Sequence, residues 1–367
     1  MQIVMFYHSL VSDWSHGDAH FLRGVAVELQ SRGHEVRIHE PADGWSLHSL
    51  LAEHGSAPIA EFHAAYPTLQ STSYRLDQLD LDPALEGADL VLVHEWNDHE
   101  LVRRIGEHRA RRGQYLLLFH DTHHRSVTDQ GSMAAYDLSH YDGVLAFGSA
   151  IRDIYLSLGW ASRAWTWHEA ADTRVFRPRP ALRADGDLVW VGNFGDDERT
   201  EELRELLIEP VRDLNLNAQV FGVRYPAEQQ TELEQAGIGY GGWLPNYRVP
   251  EVFGRYRMTV HIPRRPYVAS LSGIPTIRVF EALACGIPLV CSTWHDAEHL
   301  FAPGEDYLVA ATRGEMEDHL RMLRDDTAAA RALAEHGLRT ILARHTCAHR
   351  VSQLLALCGE QGLAAAA

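Results

Sequence analysis

The stretch TIRVFEALACGIPLVCST, Thr276 to Thr293, holds a complete helix-to-strand transition. Arg278, Glu281 and Leu283 fall within a helical pattern. Gly286 stands where a helix ends in the left-handed conformation, and Pro288 cannot continue it. Leu289-Val290-Cys291 is then an apolar run of the kind that forms a buried parallel strand. The segment therefore reads as helix, glycine stop, proline and strand, with the carboxylate of Glu281 near the start of the helix. An ordinary helix-to-strand connection with a solvated Glu281 accounts for the same spacing.

Working outward, other segments repeat the strand-loop-helix theme. Residues 2–7 (QIVMFY) read as a strand. A polar loop follows, carrying His16, Gly17 and Asp18. A helix with apolar positions at 21, 22, 25, 26 and 29 ends at Gly33, and residues 35–39 form a second strand. This is a parallel crossover unit, and its loop lies at the carboxyl end of a strand, where open α/β sheets bind ligands. Residues 41–85 read as an excursion of helices and loops. Residues 88–96 (ADLVLVHEW) give a strong strand ending in His94, Glu95 and Trp96. The spacing after His94 does not fit a zinc-protease motif. Residues 114–126 (QYLLLFHDTHHRS) run an apolar strand into His120 and Asp121. Further strands are expected at 141–147, 187–191, 218–223, 258–262 and 307–310. Residues 263–276 read as a long loop, residues 314–343 as helices, and the chain closes with a helix before an alanine-rich tail expected to fray.

Composition bounds the function. At 367 residues the chain has room for two domains. A net charge of −17 argues against a nucleic-acid partner. All 33 basic residues are arginine, which excludes Schiff-base chemistry and a lysine-bearing P-loop. A phosphate ligand would have to be held by arginine and backbone amides. The cysteines at 285, 291, 347 and 358 form neither a metal spacing nor a disulfide framework. No apolar run reaches the length of a membrane span and no secretion signal is visible, so the cytoplasm is the expected location.

The pattern Glu281-x-x-Ala284-x-Gly286-x-Pro288 followed by an apolar strand resembles the donor-binding signature of GT-B glycosyltransferases, in the family 4 and CgeB-like (spore-maturation type) group. Weaker likenesses occur in the right order along nearly the whole chain: "SRGHEV" at 31–36, Asp172, Phe176 and Pro178 in the connecting segment, and the loop after 191. The resemblance implies an α/β GT-B fold with two Rossmann-like, doubly wound domains facing a cleft. It implies an acceptor-side domain over 1–180, a nucleotide-sugar domain over 181–345, and a C-terminal helix over 346–367 that crosses back to the first domain. The implied activity is transfer of a sugar from a nucleotide-sugar donor to a small-molecule, glycan or protein acceptor. It needs no metal or other cofactor and, by analogy with family 4, retains the anomeric configuration.

The resemblance also assigns roles. Glu281 would accept hydrogen bonds from the ribose, since a carboxylate offers two acceptors to vicinal hydroxyls. Gly192, Asn193 and Arg199 would face the diphosphate, with Arg278 or Arg224 supplying a second charge. Trp243 either stacks on the base or packs the core. Many family 4 enzymes carry a second glutamate where this chain has Gly273, so sugar hydroxyls would fall to backbone amides at Ser272, Gly273 and Ile274; this departure points to the CgeB-like branch. His120 either approaches the donor sugar or caps the sheet. With Asp121 it is a candidate base if the reaction inverts. His16, Gly17, Asp18 and Trp96 would lie on the acceptor side. Three other readings stay open: a non-catalytic nucleotide-sugar-binding subunit, a sugar-nucleotide epimerase of the same fold, and a metal-dependent hydrolase built on the HDTHH cluster. A homo-oligomer also stays open.

Overall fold

The computed structural model describes residues 1–179 and 185–363. The expected boundary at 180 and the alanine-rich tail from 364 lie outside the described residues. Two compact units form: Met1–Glu169 together with the segment from Cys347, and Ala170–Thr346.

The first unit is built on seven parallel strands: β1 (Gln2–Phe6), β2 (Glu35–Pro41), β3 (Ser71–Tyr74), β4 (Leu90–His94), β5 (Leu116–Asp121), β6 (Gly143–Ala146) and β7 (Ala164–Thr166). Their order across the sheet is β3-β2-β1-β4-β5-β6-β7. Every residue of β4 and β5 is buried, the continuous apolar pattern of a strand covered on both faces. The sheet reverses direction between β1 and β4, so the loops after these strands diverge and leave a crevice at their carboxyl ends. The helix Ala19–Ser31 packs against the C-terminal helix Cys347–Glu360, which thus returns to this unit as expected. Arg32 donates to the Ala348 carbonyl at 2.8 Å, and the Trp167 indole N–H donates to the Arg350 carbonyl at 2.9 Å.

The second unit repeats the plan with six parallel strands: β8 (Gly186–Val191), β9 (Ala218–Phe221), β10 (Ile238–Tyr240), β11 (Tyr256–His261), β12 (Leu289–Ser292) and β13 (Leu308–Ala310). Their order is β10-β9-β8-β11-β12-β13, with the reversal between β8 and β11. The helix Ile277–Cys285 buries all but Arg278 of its residues. It ends as the sequence requires. Gly286 is left-handed at φ 63°, its N–H donates to the Leu283 carbonyl at 3.1 Å, and the Ile287 N–H reaches the Ala282 carbonyl at 3.3 Å. That pair of bonds is a Schellman motif and satisfies carbonyls that a helix end otherwise leaves open. Pro288 then releases the chain into β12, which pairs with β11.

Four elements depart from the sequence reading. β3, β7 and β10 are edge strands where no strand was expected, and the helix Arg265–Ser270 interrupts the loop over 263–276. An edge strand such as Ser71-Thr-Ser-Tyr74 leaves one side open and carries no apolar run to betray it.

Candidate functional site

In the second unit the site grows from the switch point between β8 and β11. Beyond β8 the chain enters Gly192–Gly195; beyond β11 it enters Ile262–Arg264. Arg199 ties the two exits together. Its guanidinium donates to the Ile262 carbonyl at 2.8 Å, to the Asn193 carbonyl, and to the Phe194 carbonyl at 3.4 Å. It also lies 5.0 Å over the Trp190 ring. Arg199 is 7 % exposed, and among the described residues no carboxylate forms an ion pair with it. Burial, reinforced by the charge of Arg264, lowers its pKa to about 10. A buried cation held by carbonyl dipoles and an indole face, and not by a carboxylate, leaves net positive charge at the crevice, the situation that favours an anion.

His261, the last residue of β11, joins this centre to the Glu281 helix. Its Nε2 lies 3.3 Å from the hydroxyl of Thr276, the N-cap of that helix. Burial, reinforced by the charges of Arg199 and Arg278, lowers the His261 pKa to about 3, so the ring is neutral. One turn into the helix, Arg278 pairs with Glu281, whose side chain is fully buried. Glu281, Arg278 and Arg199 are therefore gathered around one strand end.

Other expected donor residues divide. Asn193 is a brace: its side-chain oxygen accepts the Val223 N–H at 3.1 Å. The Gly192 N–H donates to Phe221 and the Phe194 N–H to Val223, so these amides seam β8 to β9 rather than opening toward an anion. The same correction applies near Gly273. Its N–H donates to His295 at 2.7 Å, and that of Ile274 to Leu271 at 3.4 Å, leaving Ser272 as the exposed position of the three. Gly273 itself has φ +88°, and an added Cβ would stand 3.0 Å from the Glu298 side chain, so a glutamate does not fit this backbone. Arg224 pairs with Asp196 on an exposed loop. Arg264, which the sequence reading passed over, supplies the strongest charge felt by Arg199; it is paired with Glu198 at 3.0 Å. Trp243 follows β10, is half-buried, and stands outside the apolar clusters described for this unit.

The first unit carries its polar residues at the matching switch point. The loop after β1 is pinned from beneath. Arg23, fully buried, pairs with Asp13 at 2.8 Å and donates to the Leu10 and Val11 carbonyls. Glu40 accepts the Leu10 N–H at 2.7 Å. The expected acceptor residues and their neighbours then converge. The Thr122 hydroxyl donates to Asp18 at 2.8 Å, so its oxygen accepts from His94 Nε2 at 2.9 Å. This leaves His94 Nδ1 to accept the Trp96 N–H at 3.4 Å. His16 sits 4.0 Å, ring to ring, from His8. Gly17 lies half-buried between His16 and Asp18.

His120 and Asp121 are fully buried. His120 is wedged against Trp167 at 4.9 Å and His94 at 5.5 Å, with neither ring nitrogen hydrogen-bonded; burial drops its pKa to about 3. Asp121 accepts the Tyr155 hydroxyl at 2.9 Å and the His123 N–H at 3.0 Å, and burial raises its pKa to about 6. Glu95, also buried, pairs with Arg125 at 3.0 Å, and burial raises its carboxyl well above the usual range. Among the described residues no three His, Cys, Asp or Glu side chains group as a metal site, the HDTHH segment included.

Residues 199–356 match a protein family described as glycosyl transferase-like. This segment is glycosyl transferase-like, and the chain as a whole has the GT-B fold. The fold is shared with Anabaena Alr3699/HepE solved in complex with UDP-glucose, at TM-score 0.70 and 14 % identity over 98 % of this chain and all (100 %) of that one. It is shared with sucrose-phosphate synthase from Thermosynechococcus elongatus, at TM-score 0.66 and 15 % identity over 98 % of this chain and 99 % of that one. A glycosyltransferase from Rickettsia africae aligns at TM-score 0.66 and 10 % identity over 98 % of each chain. No curated protein sequence matches this chain. No helix among its described residues is long and apolar enough to cross a membrane.

Proposed function

We propose that the chain is a glycosyltransferase that takes its sugar from a nucleoside-diphosphate sugar, of which a UDP-sugar is the first candidate. The reading rests on one observation: a buried guanidinium, Arg199, with no carboxylate partner among the described residues, bridging the strand exits at the β8/β11 switch point beside Arg264, Arg278 and Glu281. Arg199 and Arg264 would face the diphosphate. Glu281, held by Arg278, would accept the ribose hydroxyls, and Trp243 would offer a face to the base. UDP and UDP-glucose complexes of proteins with this fold support the choice of donor.

In the transfer, the bond from the anomeric carbon to the diphosphate oxygen breaks and its electron pair leaves with the nucleoside diphosphate. The acceptor oxygen forms the new bond and gives up its proton. Arginine charge, placed before reaction, stabilises the leaving diphosphate electrostatically, the role a divalent ion plays in other transferases. The proposed reaction is therefore metal-independent. Retention is supported by the burial of His120 and Asp121, the candidates for a general base of an inverting reaction. The glycine at 273, with its left-handed backbone, supports placement in the CgeB-like branch.

The test is calorimetric titration of the intact protein with UDP, UDP-glucose and other nucleotide sugars, with and without EDTA, followed by product analysis. Saturable UDP binding unaffected by EDTA is expected. Failure of every nucleoside diphosphate to bind refutes the reading, and free sugar or an epimer as sole product refutes transfer.

A further inference from the structure

The first unit carries a group of indoles that the donor site does not use. Trp14 comes from the loop after β1, Trp45 from the start of the helix Trp45–His54 after β2, Trp96 from the exit of β4, and His123 from the exit of β5. Four strand ends of one sheet thus deliver rings to one place. Trp45 meets Trp14 at 6.2 Å and Trp96 at 6.3 Å; Trp96 meets His123 at 5.2 Å. His8 lies parallel beneath Trp45, 5.8 Å away at 12°. It is 4 % exposed, neither of its nitrogens is hydrogen-bonded, and burial lowers its pKa to about 3.

The group is rigid and open. The Ser12 and Ser46 hydroxyls meet at 2.9 Å, Ser46 donates to the Trp14 carbonyl at 2.8 Å, and the Trp14 indole N–H donates to Glu53 at 2.8 Å. Arg125 holds the other side, 4.7 Å over Trp96. Yet Trp45 remains 41 % exposed, the only tryptophan among the exposed large apolar side chains described. A large ring fixed in place and left in water is expensive unless something covers it.

The shape and charge narrow the occupant. Trp14 and Trp96 are inclined to Trp45 by 74° and 64°, so the rings form a corner, not a parallel slot for a flat aromatic. A pyranose suits a corner, because its C–H groups, on face and edge, are attracted to the negative faces of indoles. His8 backs Trp45 from beneath, its nitrogens covered, and keeps that wall in place. The net charge of −17 opposes a polyanionic acceptor.

We propose that this corner, with Trp45 and Trp96 as its walls, seats a neutral saccharide as the acceptor; the assignment of it as acceptor, though not its binding, rests on the transferase reading above. The probe is a panel of neutral disaccharides (maltose, cellobiose, lactose, chitobiose) presented to the full chain at millimolar concentration, with saturation-transfer NMR and tryptophan fluorescence as readouts. Flavonoid and simple phenol ligands form the comparison arm. At least one disaccharide should bind, and Trp45→Ala and Trp96→Ala should each weaken it about tenfold or more. Trp45→Phe should recover part of the loss. Thermal unfolding of each variant checks that the fold is kept, and UDP titration reports on the donor site separately. Binding of no disaccharide, unchanged affinity in Trp45→Ala, or capture of the phenols alone overturns the proposal. Loss of UDP binding in the unaltered chain instead overturns the donor reading and leaves the saccharide result standing as a binding site.

Discussion

Glu198→Gln and Arg264→Ala are expected to move diphosphate affinity in opposite directions. The two side chains pair at 3.0 Å, are 28 % and 23 % exposed, and lie beside Arg199. A pair this accessible contributes at most about 1 kcal/mol to stability, so neither change unfolds the chain. Its effect on an incoming anion is larger. A unit charge held about 7 Å from a phosphate, at an effective dielectric near 40, contributes roughly 1 kcal/mol per phosphate charge, a five- to tenfold change in Kd. Removing the arginine should therefore weaken UDP about five- to tenfold or more, and neutralising the glutamate should tighten it by about the same factor. UMP should respond less and uridine not at all, because the interaction scales with the charge presented. The assay is titration calorimetry with all three ligands at two salt concentrations; the differences should shrink as salt rises. Equal affinities of Arg264→Ala and the parent for UDP would refute the reasoning. So would a loss of affinity in Glu198→Gln, which would mean that the pair acts as a brace instead of as opposed charges.

Three further outcomes follow from the same geometry. Gly273→Ala should cost about 1–3 kcal/mol, since its backbone is left-handed and an added Cβ meets the Glu298 side chain; thermal unfolding reads this, and an unchanged midpoint would mean that the loop relaxes freely. Glu281→Gln should lower the affinity for UDP and erase the preference for UDP over its 2′,3′-dideoxy analogue; a preserved preference would remove the ribose assignment. Stability should fall steeply on acidification below about pH 6.5. The imidazoles of His8, His120 and His261 have pKa values of about 3 in the folded chain, so the unfolded chain binds more protons between pH 3 and 6.5. Each can contribute up to about 1.4 kcal/mol per pH unit across that window. Asp121, raised to about 6, acts with the opposite sign: its contribution is present below its unfolded pKa and is lost as pH rises through 6. Denaturant melts between pH 4 and 8 test the balance, and a flat profile would contradict the burial of these rings.

Much of the architecture was legible because its central elements are redundant in sequence. β4 and β5 are uninterrupted apolar runs, and the helix Ile277–Cys285 carries its own stop at Gly286 and Pro288. The edges were not legible. β3 is polar, and β7 and β10 have three residues each, too few for a period to show. In the site, Glu281 and Arg199 could be singled out because each sits within a pattern. Arg264 could not: it follows Ile262-Pro263 in a segment that reads as loop, and its relation to Arg199 exists only once β11 lies beside β8. Backbone N–H groups at Gly192, Gly273 and Ile274 looked available in sequence because nothing local reveals partners contributed by Phe221, His295 and Leu271. The Trp14–Trp45–Trp96 corner was hidden for the same reason, its members lying on three separate strand exits that no local pattern links.

Arg199 also bears on how quickly a ligand can be received. Its three carbonyl bonds splice two chain segments more than sixty residues apart before anything arrives. A receptor assembled in advance has little disorder left to surrender, so encounter and capture become nearly one event. Association with UDP should then follow a single exponential whose rate rises linearly with concentration, without the plateau that a slow rearrangement imposes.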